Sequence, residues 1–465
     1  MLSSGTMADE PGHVVAVVGA GPAGLFATRA LAAAGCRVLL LNRDIKPGGL
    51  AEYGIFLDKY KMKGGLRRQF QKFLSDPRVT YLGHVPVGPD GPLTVTQLKD
   101  FGFDALVFAI GAQGTKYLGV EGEQLPGVYH AKDLVYHYNR LPPFAEREFP
   151  MGRRVAIVGV GNVMVDVANY CAHYCDCDEI VAIARRGPFE KAYEDKEFED
   201  IEDAFDLPLY RQELKRIRPR LEAVGQKPDE LLKALAAKTE PAERTKARLR
   251  FRFLASPKRV IAEGGAEGGA DGGADGGAEG GRVVALEVEE TRLERKGERI
   301  NAVGTGEVSR IPCDTVVFAV GDRVDERFGL PYKEGLYVTA PGAEQDPAAA
   351  YQVWDPDKGQ PLAGIFVVGW ARRASDGVVG RAKLDAEMGI KHVVNWLQAR
   401  PKRPAAEALR VLDAVSAALE IAGASPVTYA DVLLIEAEER ARAALARVEE
   451  LKYKSDDEML ALLRR

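Results

Sequence analysis

The feature that most limits what this chain can become is a pattern it uses twice. An apolar run, Val14–Val18, leads into Gly19-Ala-Gly-Pro-Ala-Gly24, then a helical stretch over Leu25–Ala34 and a second apolar run, Val38–Leu41. The pattern returns as a strand over Arg154–Val158, the turn Gly159-Val-Gly161, a helix over Asn162–Tyr174 and a strand over Ile180–Ala184. Strand, glycine turn, helix and strand within ~30 residues make a βαβ unit. Two such units predict an α/β protein with two Rossmann-like dinucleotide-binding domains.

The glycine spacing has a mechanical reason. Gly19 permits the tight turn, Gly21 lets the backbone approach a pyrophosphate, and Gly24 lets the helix pack close to its strand. The helix then offers unpaired N–H groups and partial positive charge to the phosphates. An acid is expected roughly 20 residues on, to hold the ribose hydroxyls. Asn42 stands there, an acceptor without charge, with Asp44 as a substitute. In the second turn Met164 replaces the third glycine, which should push helix and strand apart or redirect the pyrophosphate. Arg185 and Arg186 end the following strand. Arginines there suit a 2′-phosphate, so NADP is favoured over NAD.

Composition fits a large globular protein of two or three domains. The chain has 465 residues, 46% hydrophobic and 28% charged, with a net charge of −5. That length suggests more than one core, because single cores stop growing near ~250–300 residues. The charge gives no sign of nucleic-acid or membrane affinity, and no apolar run reaches the ~18 residues of a membrane span. Five cysteines and a polar start fit a reducing compartment, so a cytoplasmic location is expected. Met7 is an alternative start.

Further along, residues 206–259 are charged and mostly helical in pattern. Gly264–Gly281 repeats Gly-Gly-Ala-acid and should be a flexible loop. Strands are expected over Val283–Leu293, after a polar loop over Thr315–Val320, and over Ile365–Val368 running into Gly369-Trp370. Leu384–Leu397 and residues 430–465 read as helix. Phe103–Ile110 is a buried strand ended by Gly111.

Several segments together resemble adrenodoxin reductase and its bacterial NADPH–ferredoxin reductase relatives, over nearly the whole length. They are GNVMVDVANY (Gly161–Tyr170), RRGPFEKAYEDKEFEDI (Arg185–Ile201), PCDTVVFAVG (Pro312–Gly321), GWARRASDGVVG (Gly369–Gly380) and KYKSDDEMLALL (Lys452–Leu463). Trp370 is the most telling, because related disulfide reductases place an Asp there. The resemblance implies an FAD domain that is discontinuous, 12–117 and 326–465, with an NADP domain inserted at 118–325. It implies FAD and NADP(H) as cofactors and electron transfer to a ferredoxin-type iron–sulfur protein or a cluster-bearing subunit. Gly19, Gly21, Ala23 and Gly24 would hold the FAD pyrophosphate, with Asn42, Leu50 and Gly111 also on FAD. Gly369, Trp370, Gly377 and Val378 would lie along its ring. Gly161, Asn162 and Val163 would meet the NADP pyrophosphate, and Arg185 and Arg186 its 2′-phosphate. Asp166 matches an acid on the NADP-site helix. Glu197 matches an acid near the nicotinamide carboxamide, and with Lys59 it is a catalytic candidate. Lys59 replaces the family's His and offers a fixed positive charge rather than a proton shuttle.

Two basic groups, Lys59/Lys61/Lys63/Arg67/Arg68 and Lys215–Arg220, suit steering of an acidic carrier. Cys171, Cys175 and Cys177 lie at the far end of the second helix, where a disulfide-reductase pair would be misplaced; no metal site is expected there, although His173 is a conceivable fourth ligand. Two other readings stay open: a flavoprotein subunit like the small subunit of glutamate synthase, and a dinucleotide-binding module without turnover.

Overall fold

The computed structural model describes residues 10–236, 244–265, 281–374 and 379–464. Gly377, Val378, Met7 and most of the Gly-rich repeat lie outside the described residues. The chain divides into two compact units. One comprises 1–115, 136–146 and 321–465; the other comprises 116–135 and 147–320.

The first unit is built on a sheet that is seven-stranded among the described residues. Its order is Gln352–Asp355, Gln360–Val367, Ala105–Phe108, Val14–Val18, Arg37–Leu41, Val79–Gly83 and Val427–Thr428. The central strands run parallel. Parallel strands are covered on both faces and so read as unbroken apolar runs; Val14–Val18 is buried at every position. One face packs Val15, Val17, Leu40 and Val107 under Leu25, Phe26, Leu31 and Phe70. The other packs Ala16, Leu39, Leu106 and Val367 under Leu98, Phe328 and Val415.

The second unit has a parallel five-stranded sheet among the described residues: Val128–His130, Thr315–Phe318, Arg154–Val158, Glu179–Ala184 and Arg248–Phe253. Beside it, Ala255–Ala262, Val283–Lys296 and Arg299–Pro312 form an antiparallel sheet.

The structure corrects several sequence expectations. Residues 206–259 are helical only over Leu207–Glu222 and Pro228–Ala236; from Arg248 the chain is strand. The sequence Arg-Leu-Arg-Phe-Arg-Phe buries its even positions on Phe198, Phe205 and Tyr210, a period of two. The polar stretch after Leu293 is the return strand of a hairpin, Arg299–Pro312, turned at Gly297 with φ +62°. The tail is two helices, Tyr429–Ala446 and Asp456–Leu463. No helix among the described residues is long and apolar enough to cross a membrane.

Candidate functional site

In the first unit, three turns leave neighbouring parallel strands at their carboxyl ends. Val14–Val18 runs into Gly19, Ala105–Phe108 towards Gly111, and Gln360–Val367 into Gly369. The chain proceeds from Val14–Val18 to Arg37–Leu41 on one side, with Ala105–Phe108 on the other. That switch in direction is where open α/β sheets bind ligands.

The glycines there are of two kinds. Gly19 has φ +100°, and a Cβ on it would stand 2.6 Å from the Ala109 carbonyl oxygen. A Cβ on Gly24 would stand 1.8 Å from the Gly19 carbonyl oxygen. These two let protein pack against protein. Gly21 differs: a Cβ on it would meet nothing within 4 Å. It is the N-cap of the helix Pro22–Ala33 and supplies no capping side chain, so first-turn N–H groups remain for an anion. Open space beside uncapped N–H groups fits the pyrophosphate of FAD. Leu50 opens the short helix Leu50–Tyr53. The loop before it is tied to the turn by a hydrogen bond from Gly48 N–H to the Ala20 carbonyl, 2.7 Å.

Asn42 is brought to the glycine turn, but its amide is engaged by the protein. Its Oδ1 accepts from Ala20 N–H at 3.0 Å. Its Nδ2 donates to the carbonyls of Asp44 at 2.8 Å and Lys46 at 3.1 Å. Asn42 therefore braces the turn, and the carboxylate of Asp44, the expected substitute, accepts from Arg43 Nε at 2.9 Å.

Gly369 has φ +66°, and a Cβ on it would come 2.4 Å from the Cβ of Ala23. This seats the half-buried Trp370 beside the first turn of the helix. Asp385 fixes the bend: its carboxylate accepts from Gly369 N–H at 2.6 Å and pairs with Arg372. Arg372 in turn lies 4.3 Å from the Tyr351 ring centre. Nothing in the local sequence announced Asp385, which sits on a later helix. Lys59 is half-buried at the N-cap of Tyr60–Leu74.

The second unit repeats the device. Gly159 has φ +123°, and a Cβ on it would stand 2.2 Å from the Ala319 carbonyl oxygen. Gly161 is the uncapped N-cap of Asn162–Tyr174, and a Cβ there would again meet nothing. Met164 takes the place of the third glycine and is wholly buried; the helix still starts at Asn162. An NADP pyrophosphate fits the N–H groups of Asn162 and the exposed Val163. Asn162 Oδ1 accepts from Glu194 N–H at 2.8 Å. Ala192 N–H bonds the Val160 carbonyl at 2.9 Å. The segment after the second strand is thus folded across the turn, and it carries Glu197, half-buried on Asp195–Phe198, alongside. Asp166 is half-buried one turn into the helix.

Arg185 and Arg186 follow the strand Glu179–Ala184. Arg185 is exposed and Arg186 half-buried. Their backbone is pinned, with the Arg185 carbonyl accepting from Thr291 Oγ1 at 2.7 Å. Neither guanidinium makes an ion pair among the described residues.

The expected steering clusters are largely engaged within the protein. Lys63 is 1% exposed and donates to Asn139 Oδ1 at 2.8 Å. Arg67 is held by Glu52 and Glu450. Arg216, Arg218 and Arg220 pair with Glu213, Asp229 and Glu290. Lys61, Arg68 and Lys215 remain exposed. His173 faces Asp203 at 2.8 Å, and no group able to hold a metal occurs among the described residues.

Residues 13–205 match the family model of pyridine nucleotide-disulphide oxidoreductases. The mitochondrial NADPH:adrenodoxin oxidoreductase of Salvelinus fontinalis is 27% identical over 100% of this chain and 93% of that protein. The NADPH-ferredoxin reductase FprA of Mycobacterium leprae is 29% identical over 81% of this chain and 82% of that protein. The structure of Mycobacterium tuberculosis FprA in complex with NADPH superposes with a TM-score of 0.75 at 27% identity, covering 98% of this chain and 99% of that one.

Proposed function

We propose, from its similarity to adrenodoxin reductases and NADPH–ferredoxin reductases, that this chain is an FAD-dependent oxidoreductase passing electrons between NADPH and a ferredoxin-type iron–sulfur protein. The observation that carries this reading is the pair of glycine turns. Each is tight where protein meets protein and open at its second glycine, Gly21 or Gly161.

When bound, FAD supplies a ring that takes up an electron pair with a hydride and gives electrons out singly. The chain's own work is binding and orientation, since this transfer needs no strong acid or base. The N–H groups after Gly21 hold the flavin pyrophosphate, and Asp44 takes the ribose in place of Asn42. Gly369 brings Trp370 alongside the ring, and Asp385 keeps that bend. In the second unit, Asn162 and Val163 hold the NADP pyrophosphate. Glu197 accepts a hydrogen bond from the carboxamide and sets which nicotinamide face is presented. Lys59 supplies a fixed positive charge. The ion pairing of the other basic residues leaves Lys61, Arg68 and Lys215 as surface cations for an acidic carrier. A cytoplasmic location belongs to the same proposal, supported by five cysteines standing as thiols.

Arg185 and Arg186 give the test of cofactor choice. Charge-assisted hydrogen bonds to a 2′-phosphate are worth about 1.5–3 kcal/mol each. Replacing both by Ala should raise the KM for NADPH by at least ~100-fold and leave that for NADH nearly unchanged. Stopped-flow bleaching of the yellow protein by each coenzyme measures this. Equal rates with NADH and NADPH in the parent protein would remove the role assigned to the two arginines.

A further inference from the structure

The dinucleotide chemistry leaves three cysteines unused, all at the carboxyl end of the helix Asn162–Tyr174. Cys171 is on its last turn, Cys175 is its C-cap, and Cys177 follows two residues later. Cys171 and Cys175 are four apart, so helical rise puts their Cα atoms about 6 Å apart. That lies within the ~4.4–6.8 Å that a disulfide spans. At Cys175 the backbone turns extended, with φ −120° and ψ 162°, and residues two apart on extended chain share a side. Cys177 is buried, with its Sγ 3.4 Å from the Gly152 carbonyl oxygen.

Their environments differ. Cys171 is 0% exposed and Cys177 1%, whereas Cys175 is half-buried. Hydrogen bonds with Cys175 and Cys177, and then burial, hold the Cys171 thiol well above its ordinary range. For Cys177 the bond with Cys171 pulls down, but the bond with Cys175 and burial push it up to about 12. The two buried sulfurs thus stay protonated at neutral pH and act as S–H donors. Cys175 is the least buried residue of the three. Cys36 and Cys313 are buried, far apart in sequence and in different units.

We propose that Cys175 is a peroxide-reactive thiol and that it closes a disulfide with Cys171 or Cys177, giving the second unit a dithiol–disulfide couple separate from its dinucleotide turn. Sulfur of Cys175 attacks hydrogen peroxide: an S–O bond forms, the O–O bond breaks, and the departing hydroxide leaves with the thiol proton as one water. The neighbouring sulfur then attacks Cys175. An S–S bond forms, the S–O bond breaks, and its proton leaves with the hydroxide as a second water. Two thiols lose two electrons and one hydroperoxide gains them. A small dithiol reverses the reaction by exchange.

The experiment uses the full-length yellow protein exposed to hydrogen peroxide. Thiols are counted with DTNB after denaturation, and the digest is mapped by mass spectrometry without reduction. Two of the five thiols should disappear and return with dithiothreitol, with Cys175 linked to Cys171 or Cys177 in the same chain. Cys175→Ser should slow the loss at least 10-fold, whereas Cys36→Ser and Cys313→Ser should lose two thiols as the parent does. Five thiols retained, a bridge between chains, or a disulfide lacking Cys175 would each overturn the proposal. The mapping on the unaltered protein stands even if a variant folds poorly.

Discussion

Gly21→Ala should yield a folded protein that is nearly colourless. The added methyl meets no protein atom within 4 Å, and the residue's φ of −74° suits alanine as well as glycine. The apo fold should therefore keep its stability within ~0.5 kcal/mol, as for a surface change away from special features. The methyl instead occupies the space through which the backbone reaches a pyrophosphate. A loss of ~100-fold in FAD affinity is expected, equivalent to about 2.7 kcal/mol. Flavin absorbance after gel filtration reads the affinity, and a urea midpoint on stripped protein reads the fold. Full flavin content in Gly21→Ala would move the FAD site elsewhere.

Gly24→Ala makes the contrast. Its Cβ would press to 1.8 Å on the Gly19 carbonyl oxygen, which is backbone and cannot swing aside. Overpacking of this kind costs about 1–3 kcal/mol and occasionally more. This variant should lose both flavin and stability. The two glycines look alike in the sequence motif, and only the packing around them separates a ligand-facing position from a helix–strand contact.

That difference marks how far the sequence was legible. Both βαβ units were readable, because buried parallel strands and their glycine turns leave unbroken local patterns. The arginines ending the second strand were readable for the same reason. The alternation in Arg248–Phe253 was also present, yet a count of charges favours helix over that stretch. Tertiary packing on Phe198, Phe205 and Tyr210 decides it as strand. What local pattern does not carry is partnership across the chain. Asp385 bracing Gly369, Asn42 tied to Ala20, and Lys63 drawn inside to Asn139 are each settled by residues distant in sequence or by saturation of an amide.

The largest stability effect should come from such a partnership. Glu52, 3% exposed, is held by three cations: Lys452 at 2.9 Å, Arg67 at 2.5 Å and Lys46 at 3.8 Å. Lys46 is held from its other side by Glu439 at 2.5 Å, and Arg67 and Lys452 also face Glu450. The cluster fastens the segment Lys46–Arg67 to Glu439 on the helix Tyr429–Ala446 and to Glu450 and Lys452 after it; removing one charge leaves the others buried without balance. Breaking a buried pair in this way costs about 3–5 kcal/mol, so Glu52→Gln should lower unfolding free energy by that amount in urea. Lys452→Met should also destabilise, and the double variant should fall short of the sum by ~1 kcal/mol or more, since the partners touch. The pH dependence follows the same charges. Burial alone would raise the pKa of Glu52, but Lys452, Lys46 and Arg67 outweigh it and hold the carboxyl well below its ordinary 4.5. A depressed carboxyl stabilises fully above its unfolded value and loses that contribution as pH falls through the folded one. The parent should therefore weaken below about pH 4.5, and Glu52→Gln should show a flatter acid limb. Lys63 acts on the alkaline side. Burial and the charge of Lys452 pull it from 10.5 down to about 8. Its buried charge is a cost that is complete below pH 8 and relieved as pH rises from 8 to 10.5. An acid limb unchanged in Glu52→Gln would show that the cluster does not hold this fold together.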